Sequence, residues 1–190
     1  MSSPLVVGLD LSLTATGVAR WGPDGLAMQT FSCQDGETGL TRLQKLRSGA
    51  TARARGADLV VIEALPPGGR MQQGKNAYIN ERAALYFMVL DRLQQLGIPY
   101  AEVQPAQLKG YALGVGGGRN AGKTAVVAAV VRRYDADPKD DNQADACVLA
   151  AMGLDHLGHP PAPVPKQHAN WLRAVKWPGD GATVPPVVND

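Results

Sequence analysis

The sequence predicts an α/β fold: a five-stranded mixed sheet, three antiparallel strands followed by parallel ones, with helices on both faces. Three observations predict it. Residues 5–9 and 59–62 are short apolar runs, the second wholly apolar and rich in β-branched side chains, as in strands buried on both faces. The first three strand-like segments are joined by links too short for a crossover. The patterns run β-β-β-α-β-α-β and then helices, without an internal repeat.

The first strand runs to Asp10. After Ser12, Thr14 and Thr16 a second spans 17–21 and stops at Gly22-Pro23-Asp24-Gly25, a turn. Residues 27–33 alternate as a third strand exposed on one face. Leu40, Leu43, Leu46 and Ala50 recur at near-helical spacing, with Gly56 as the stop signal. The buried strand 59–62 ends at Glu63, and the Pro- and Gly-rich stretch 64–76 reads as a mobile loop. A helix over 78–96 is closed by Gly97, and its apolar residues cover more than one stripe. One face meets the sheet; the other needs a homodimer partner or a neighbouring helix of the same chain. Another strand spans 98–103, and Pro105 suits the first turn of a short helix to 113. A glycine-rich loop over 114–122 leads to a helix over 123–134, and a last helix runs from about 141 to 156.

Composition narrows the classes. The 190 residues suit one domain, here 1–157, with a Pro/Gly-rich tail over 158–190, loosely docked or disordered and anchored only by Trp171, Leu172, Val175 and Trp177. Cys33 and Cys147 are too far apart for a CxxC pair and too few for a disulfide framework, which fits a reducing compartment. No apolar run approaches the roughly 18 residues that span a bilayer, and the N-terminus lacks a basic leader. A cytoplasmic protein without membrane contact is expected. The formal net charge of +2 decides nothing, because it conceals where the charges sit.

Asp10 and Glu63 each follow a buried strand, at the carboxyl edge where open α/β sheets place their ligands. Asp145 lies in an otherwise apolar helix, with Asp141 one turn earlier. Each alone has a plain structural explanation: a turn former, a hydrogen-bonded carboxyl or, for Asp141, an N-cap. Asp10, Glu63 and Asp145 together occupy buried-looking positions where unpaired charge is expensive. A hard divalent cation relieves the repulsion among four carboxylates, and such a cluster suits two-metal phosphodiester hydrolysis.

The run Val7-Gly8-Leu9-Asp10-Leu11-Ser12-Leu13-Thr14-Ala15-Thr16-Gly17-Val18-Ala19, the strand Val60-Val61-Ile62-Glu63, the segment from Pro105 to Gly114, Lys123, and Gln143-Ala144-Asp145-Ala146 together resemble the RuvC family of Holliday-junction resolvases, in the family's order over roughly residues 5–155. The resemblance implies an RNase H-like nuclease domain, a homodimer through the 78–96 helix, two Mg²⁺ per active site with Mn²⁺ as a substitute, and symmetric nicks across a four-way DNA junction. It places Asp10, Glu63 and Asp145 as metal-binding catalytic acids and Lys109 and Lys123 beside the scissile phosphate. Two departures matter. Where the family usually carries Asp or His three residues before the last acid, this chain has Asn142, so the fourth ligand is assigned to Asp141. The loop after Glu63 has no aromatic wedge, which leaves junction opening to Met71 or Arg70, or weakens it. Related readings are an RNase H-like nuclease acting on RNA or other branched DNA, and a non-catalytic junction-binding module.

Local charge agrees. Residues 40–56 hold five basic groups and no acid, and residues 100–133 hold five against Glu102, whereas 134–145 hold five acids against Lys139. A basic surface around an acidic pocket fits backbone binding, with Arg70, Lys75 and Arg119 as further DNA contacts from loops beside Lys109 and Lys123. For 40–56 a plain solvated helix face is the alternative. Gly117 to Thr124 satisfies the phosphate-loop pattern GxxxxGK[ST], but a helix precedes it where a buried strand is required. Asp10 to Thr14 also resembles the phosphate loop of actin-like ATPases, which need two such domains. His156 and His159 have helical spacing without further ligands nearby, as at a helix end.

Overall fold

A computed structural model describes residues 3–34, 36–65, 76–114 and 123–179, with side chains from 79 and 124 in the last two segments. Its five strands are β1 Val6–Asp10, β2 Thr16–Gly22, β3 Gly25–Phe31, β4 Leu59–Glu63 and β5 Tyr100–Val103. They lie in the order β3-β2-β1-β4-β5. β1 pairs antiparallel with β2 and β2 with β3, while β4 runs parallel to both β1 and β5. The helices are α1 Gly39–Arg53, α2 Asn76–Gln95, α3 Pro105–Leu113, α4 Lys123–Tyr134, α5 Asp141–His156 and α6 Lys166–Leu172. The expected mixed sheet is therefore present. Among the described residues no helix is long and apolar enough to cross a membrane.

β3 begins and ends two residues earlier than its alternation suggests. The Pro23-Asp24 turn pairs Gly22 with Gly25, whose φ of 95° suits only glycine, and this sets the register. As an edge strand β3 alternates between exposed and half-buried residues, whereas every residue of the central β1 is buried.

Strand parity separates two cores. Val7, Leu9, Val60 and Ile62 face α1 and α2, which contribute Leu43, Leu46, Ala50, Leu85, Val89 and Leu93. α1 therefore covers part of the second apolar stripe of α2, although Phe87 remains 62% exposed. Val6, Leu59, Val61, Ala101 and Val103 face the opposite way, onto α5, with α3 and α4 beside it.

α5 lies unusually close to the sheet. A Cβ built on Gly8 would stand 2.0 Å from the Ala146 carbonyl oxygen, and one on Gly17 would stand 2.1 Å from that of Asn142. Both obstacles are backbone and cannot swing aside. The part of α5 that meets the strands is correspondingly small: Ala146 and Ala150 lie against Gly8, and Gly153 lies against Val6 and Val61.

The stretch beyond 157, expected as a loosely docked or disordered tail, contains α6. Its Trp171 ring lies on Gly110 of α3, and Val175 and Trp177 are buried. Lys176 also forms a bridge to Glu102 on the open edge of β5. Seven residues after Pro165 are too few for a helical hydrophobic pattern, so this element has no periodic signature in the sequence. Residues 180–190 lie outside the described residues.

Replacing Gly8 with alanine forces α5 away from β1. The expected cost is about 2 kcal/mol or more of unfolding free energy, measured by urea denaturation, together with weaker divalent-cation binding. Unchanged stability and cation affinity in Gly8→Ala would show that α5 does not depend on this contact.

Candidate metal centre

Parity and register bring the first two acids together. Val6, Gly8 and Asp10 share one face of β1, and Leu59, Val61 and Glu63 share the same face of β4. Leu9 lies opposite Ile62, so one step further along the parallel pair Asp10 lies beside Glu63. Asp10 is also paired with Gly17, the residue that admits the first turn of α5. α5 then supplies the third acid. One carboxylate oxygen from each of Asp10, Glu63 and Asp145 lies within 4.8 Å of the others. Asp10 is buried, and the other two are half-buried.

The turn after Asp10 is held by hydroxyls. Thr16 Oγ1 donates to the Ser12 carbonyl at 3.0 Å, and the Ser12 and Thr14 hydroxyls are 3.1 Å apart. These side chains, which give the segment its likeness to a phosphate loop, are thus engaged in shaping the backbone.

Three carboxylates this close cannot all ionise freely. Glu63 is raised from the usual carboxylate range to about 8, first by burial, then by the charge of Asp10 and a hydrogen bond with it, and then by Asp145. Arg82 on α2 acts in the opposite sense, its positive charge drawing the pKa down. Near neutral pH Glu63 therefore tends to keep its proton and share it with Asp10. Oxygen-only donors, strained by mutual repulsion at a sheet edge, fit a hard divalent cation that takes the place of that proton. Cys147, two residues from Asp145, is fully buried in the α5 core, and burial pushes its thiol up to about 12. It keeps its proton near neutral pH and is not a member of the 4.8 Å group.

The remaining candidates are distributed as follows. Asp141 occupies the first turn of α5, one turn before Asp145, and is not a member of the 4.8 Å group. The N-cap position open to Asp141 in the sequence is filled by Asp140, which accepts from the Gln143 amide at 2.8 Å and from Thr30 Oγ1 at 2.6 Å. Asn142 presents its backbone carbonyl to Gly17. Lys109 is half-exposed on α3, which starts just beyond the carboxyl end of β5. Lys123 opens α4, and its side chain lies outside the described residues, as do Arg70, Met71, Lys75 and Arg119. Most of the GxxxxGK[ST] pattern lies there too. His156 stacks on Trp177 with ring centroids 4.2 Å apart, and His159 follows the end of α5.

Two contributions are not evident from residue type alone. Gly8 and Gly17 act as spacers, and a glycine inside a buried strand is the signal that could have marked them. The charge of Arg82 acts on Glu63 because α2 packs over the sheet, and nothing in its neighbours announces this.

No family model matches the chain, and no curated protein matches its sequence. Solved structures do match. Thermus thermophilus RuvC in complex with a Holliday junction substrate superposes with a TM-score of 0.62 at 16% identity, covering 85% of this chain and 99% of that one. The fowlpox virus resolvase with substrate Holliday junction DNA gives 0.52 at 10% identity, over 80% and 98%. The yeast mitochondrial Holliday junction resolvase gives 0.53 at 9%, over 90% and 81%. The chain has the RNase H-like fold of RuvC.

The raised Glu63 pKa sets a pH dependence. Its protonated form is favoured by folding, so its stabilising contribution is full below the ordinary value of 4.5 and is lost as pH rises through about 8. The melting temperature in EDTA should carry a downward component across that window, and stabilisation by added Mg²⁺ or Mn²⁺ should grow over the same range. Glu63→Gln should remove this component and most of the cation effect; wild-type pH and cation profiles in the variant would refute the assignment.

Proposed function

We propose that the protein is a structure-selective DNA endonuclease that resolves four-way junctions by paired, symmetric nicks. The observation that carries this reading is the convergence of Asp10, Glu63 and Asp145 from β1, β4 and α5, in a fold shared with structures solved on Holliday junctions. When bound, a pair of divalent cations, Mg²⁺ with Mn²⁺ as a substitute, supplies the positive charge that phosphodiester hydrolysis needs at the attacking and leaving oxygens.

The chain's own residues hold and tune that site. Asp10, buried between β2 and β4, is the central ligand. Glu63, as the carboxylate, would hold the cation beside Asp10, and Asp145 would close the site from α5. Asp141, one turn away, completes the set as the fourth acid. Lys109 and Lys123 neutralise the scissile phosphate, while Arg70, Lys75 and Arg119 grip the backbone on either side. The active unit is a homodimer through α2, supported by the exposure of Phe87 and Ile79 on that helix. Two such sites would account for paired nicks. The free thiols of Cys33 and Cys147 accord with a cytoplasmic location.

Incubation with labelled four-way junction, linear duplex and RNA–DNA hybrid, with and without Mg²⁺, tests substrate and reaction together. Symmetric nicks in the junction alone, dependent on the cation, are expected. Cleavage of the hybrid would replace this reading with an RNA-directed nuclease, and binding without cleavage under any divalent cation would replace it with a junction-binding module. Asp10→Asn should retain junction binding and lose nicking by roughly a thousandfold or more; wild-type cleavage by that variant would remove Asp10 from the site.

A further inference from the structure

The basic run of α1 does not act as one surface. Arg42 pairs with Glu81 and Lys45 with Glu37. Arg53 stacks on the Phe31 ring at 4.4 Å and donates to the Gly49 carbonyl. Arg47 and Arg55 have no ion pair among the described residues. Both line a cavity of about 340 Å³ between α1 and α2, and Arg92 joins them from α2. Ser48, Thr51 and Gln95 complete its polar wall, and no carboxylate lines it.

Helical spacing explains the convergence. Arg47, Thr51 and Arg55 follow each other at four-residue intervals along α1 and the turn after it, while Arg92 and Gln95 share a face of the last turn of α2, with Leu96 just beyond it. Gln95 accepts from Arg92 at 2.9 Å and donates to Asp91 at 2.8 Å, orienting the Arg92 guanidinium and engaging the neighbouring acid. A helix C-terminus favours a cation such as Arg92 in its last turn. That does not account for Arg47, which lies mid-helix. Three arginines that line one polar cavity repel each other, and the planar forks of their guanidiniums match phosphate oxygens.

We infer that this cavity is a second, metal-independent site that binds phosphate groups. α1 and α2 both run towards the amino ends of β4 and β5, which places the cavity at the opposite edge of the sheet from Asp10 and Glu63. The strands alone separate the two edges by roughly 15 Å, so this site does not hold the scissile phosphate. Its ligand is either a small phosphate compound or the backbone of a nucleic-acid arm beyond the acidic centre.

The full chain in EDTA is titrated with inorganic pyrophosphate by calorimetry and with labelled linear duplex by fluorescence anisotropy at several salt concentrations. Two variants are compared with wild type: the triple Arg47→Ala, Arg55→Ala, Arg92→Ala, and Ser48→Glu, which introduces a carboxylate from an exposed position. Both should weaken the ligand about tenfold or more. Loss of pyrophosphate affinity alone identifies a small phosphate compound. Loss of duplex affinity with a shallower salt dependence, with or without loss of pyrophosphate, identifies a nucleic-acid backbone. Wild-type affinity for both ligands in Ser48→Glu, or failure of wild type to bind either, overturns the inference. Both titrations are read in EDTA and without cleavage, so failure of the nuclease reading leaves this test intact.

Discussion

The close approach of α5 to the sheet is the constraint on which the rest of the structure depends. A helix resting on a sheet through ordinary side chains stands well away from the strand backbones. Here Gly8 and Gly17 remove the intervening Cβ atoms, and α5 meets the gap with alanines and Gly153. Asp145 is thereby brought within 4.8 Å of acids that protrude from strand ends. The close packing of small residues thus also brings about the electrostatic crowding that raises Glu63.

That crowding defines the centre chemically. Burial would ordinarily be avoided by three neighbouring carboxylates, because desolvation and repulsion act together. Hydroxyls around Ser12 and the Asp140 cap stabilise the backbone beside the acids without supplying a neutralising charge. Arg82 offsets the repulsion only in part, since Glu63 still rises to about 8. Such a centre gains stability from any hard cation that enters. The basic groups follow a different rule. Those of α1 are divided between ion pairs, an aromatic ring and the α1–α2 cavity, so a linear run of like charge becomes several local environments.

The mixed sheet and the burial of its central strands on both faces were legible in the sequence because they follow from local patterns: two buried runs, a Gly-Pro-Asp-Gly turn, and helical repeats bounded by glycine; the strand order, which pairs residues some fifty positions apart, was not. The clustering of Asp10, Glu63 and Asp145 was legible too, through their placement after strands and on an apolar helix. Asp140 as the cap in place of Asp141 was not, because adjacent aspartates offer the same hydrogen-bonding chemistry and only the helix start chooses between them. α6 was not, because it is held by Trp171 on Gly110, a contact between residues sixty-one positions apart.

By itself, then, the sequence determined the order of the elements as far as α5, the two faces of the sheet and the acids that meet at its carboxyl edge, since period-2 and period-3.6 patterns act within a few residues. Only the tertiary structure decided how near α5 comes, which cations are spent on ion pairs, and that Arg47, Arg55 and Arg92 converge on one cavity. These depend on the crossing of elements distant in the chain, where the position of a backbone, and not the type of a residue, sets which charges meet.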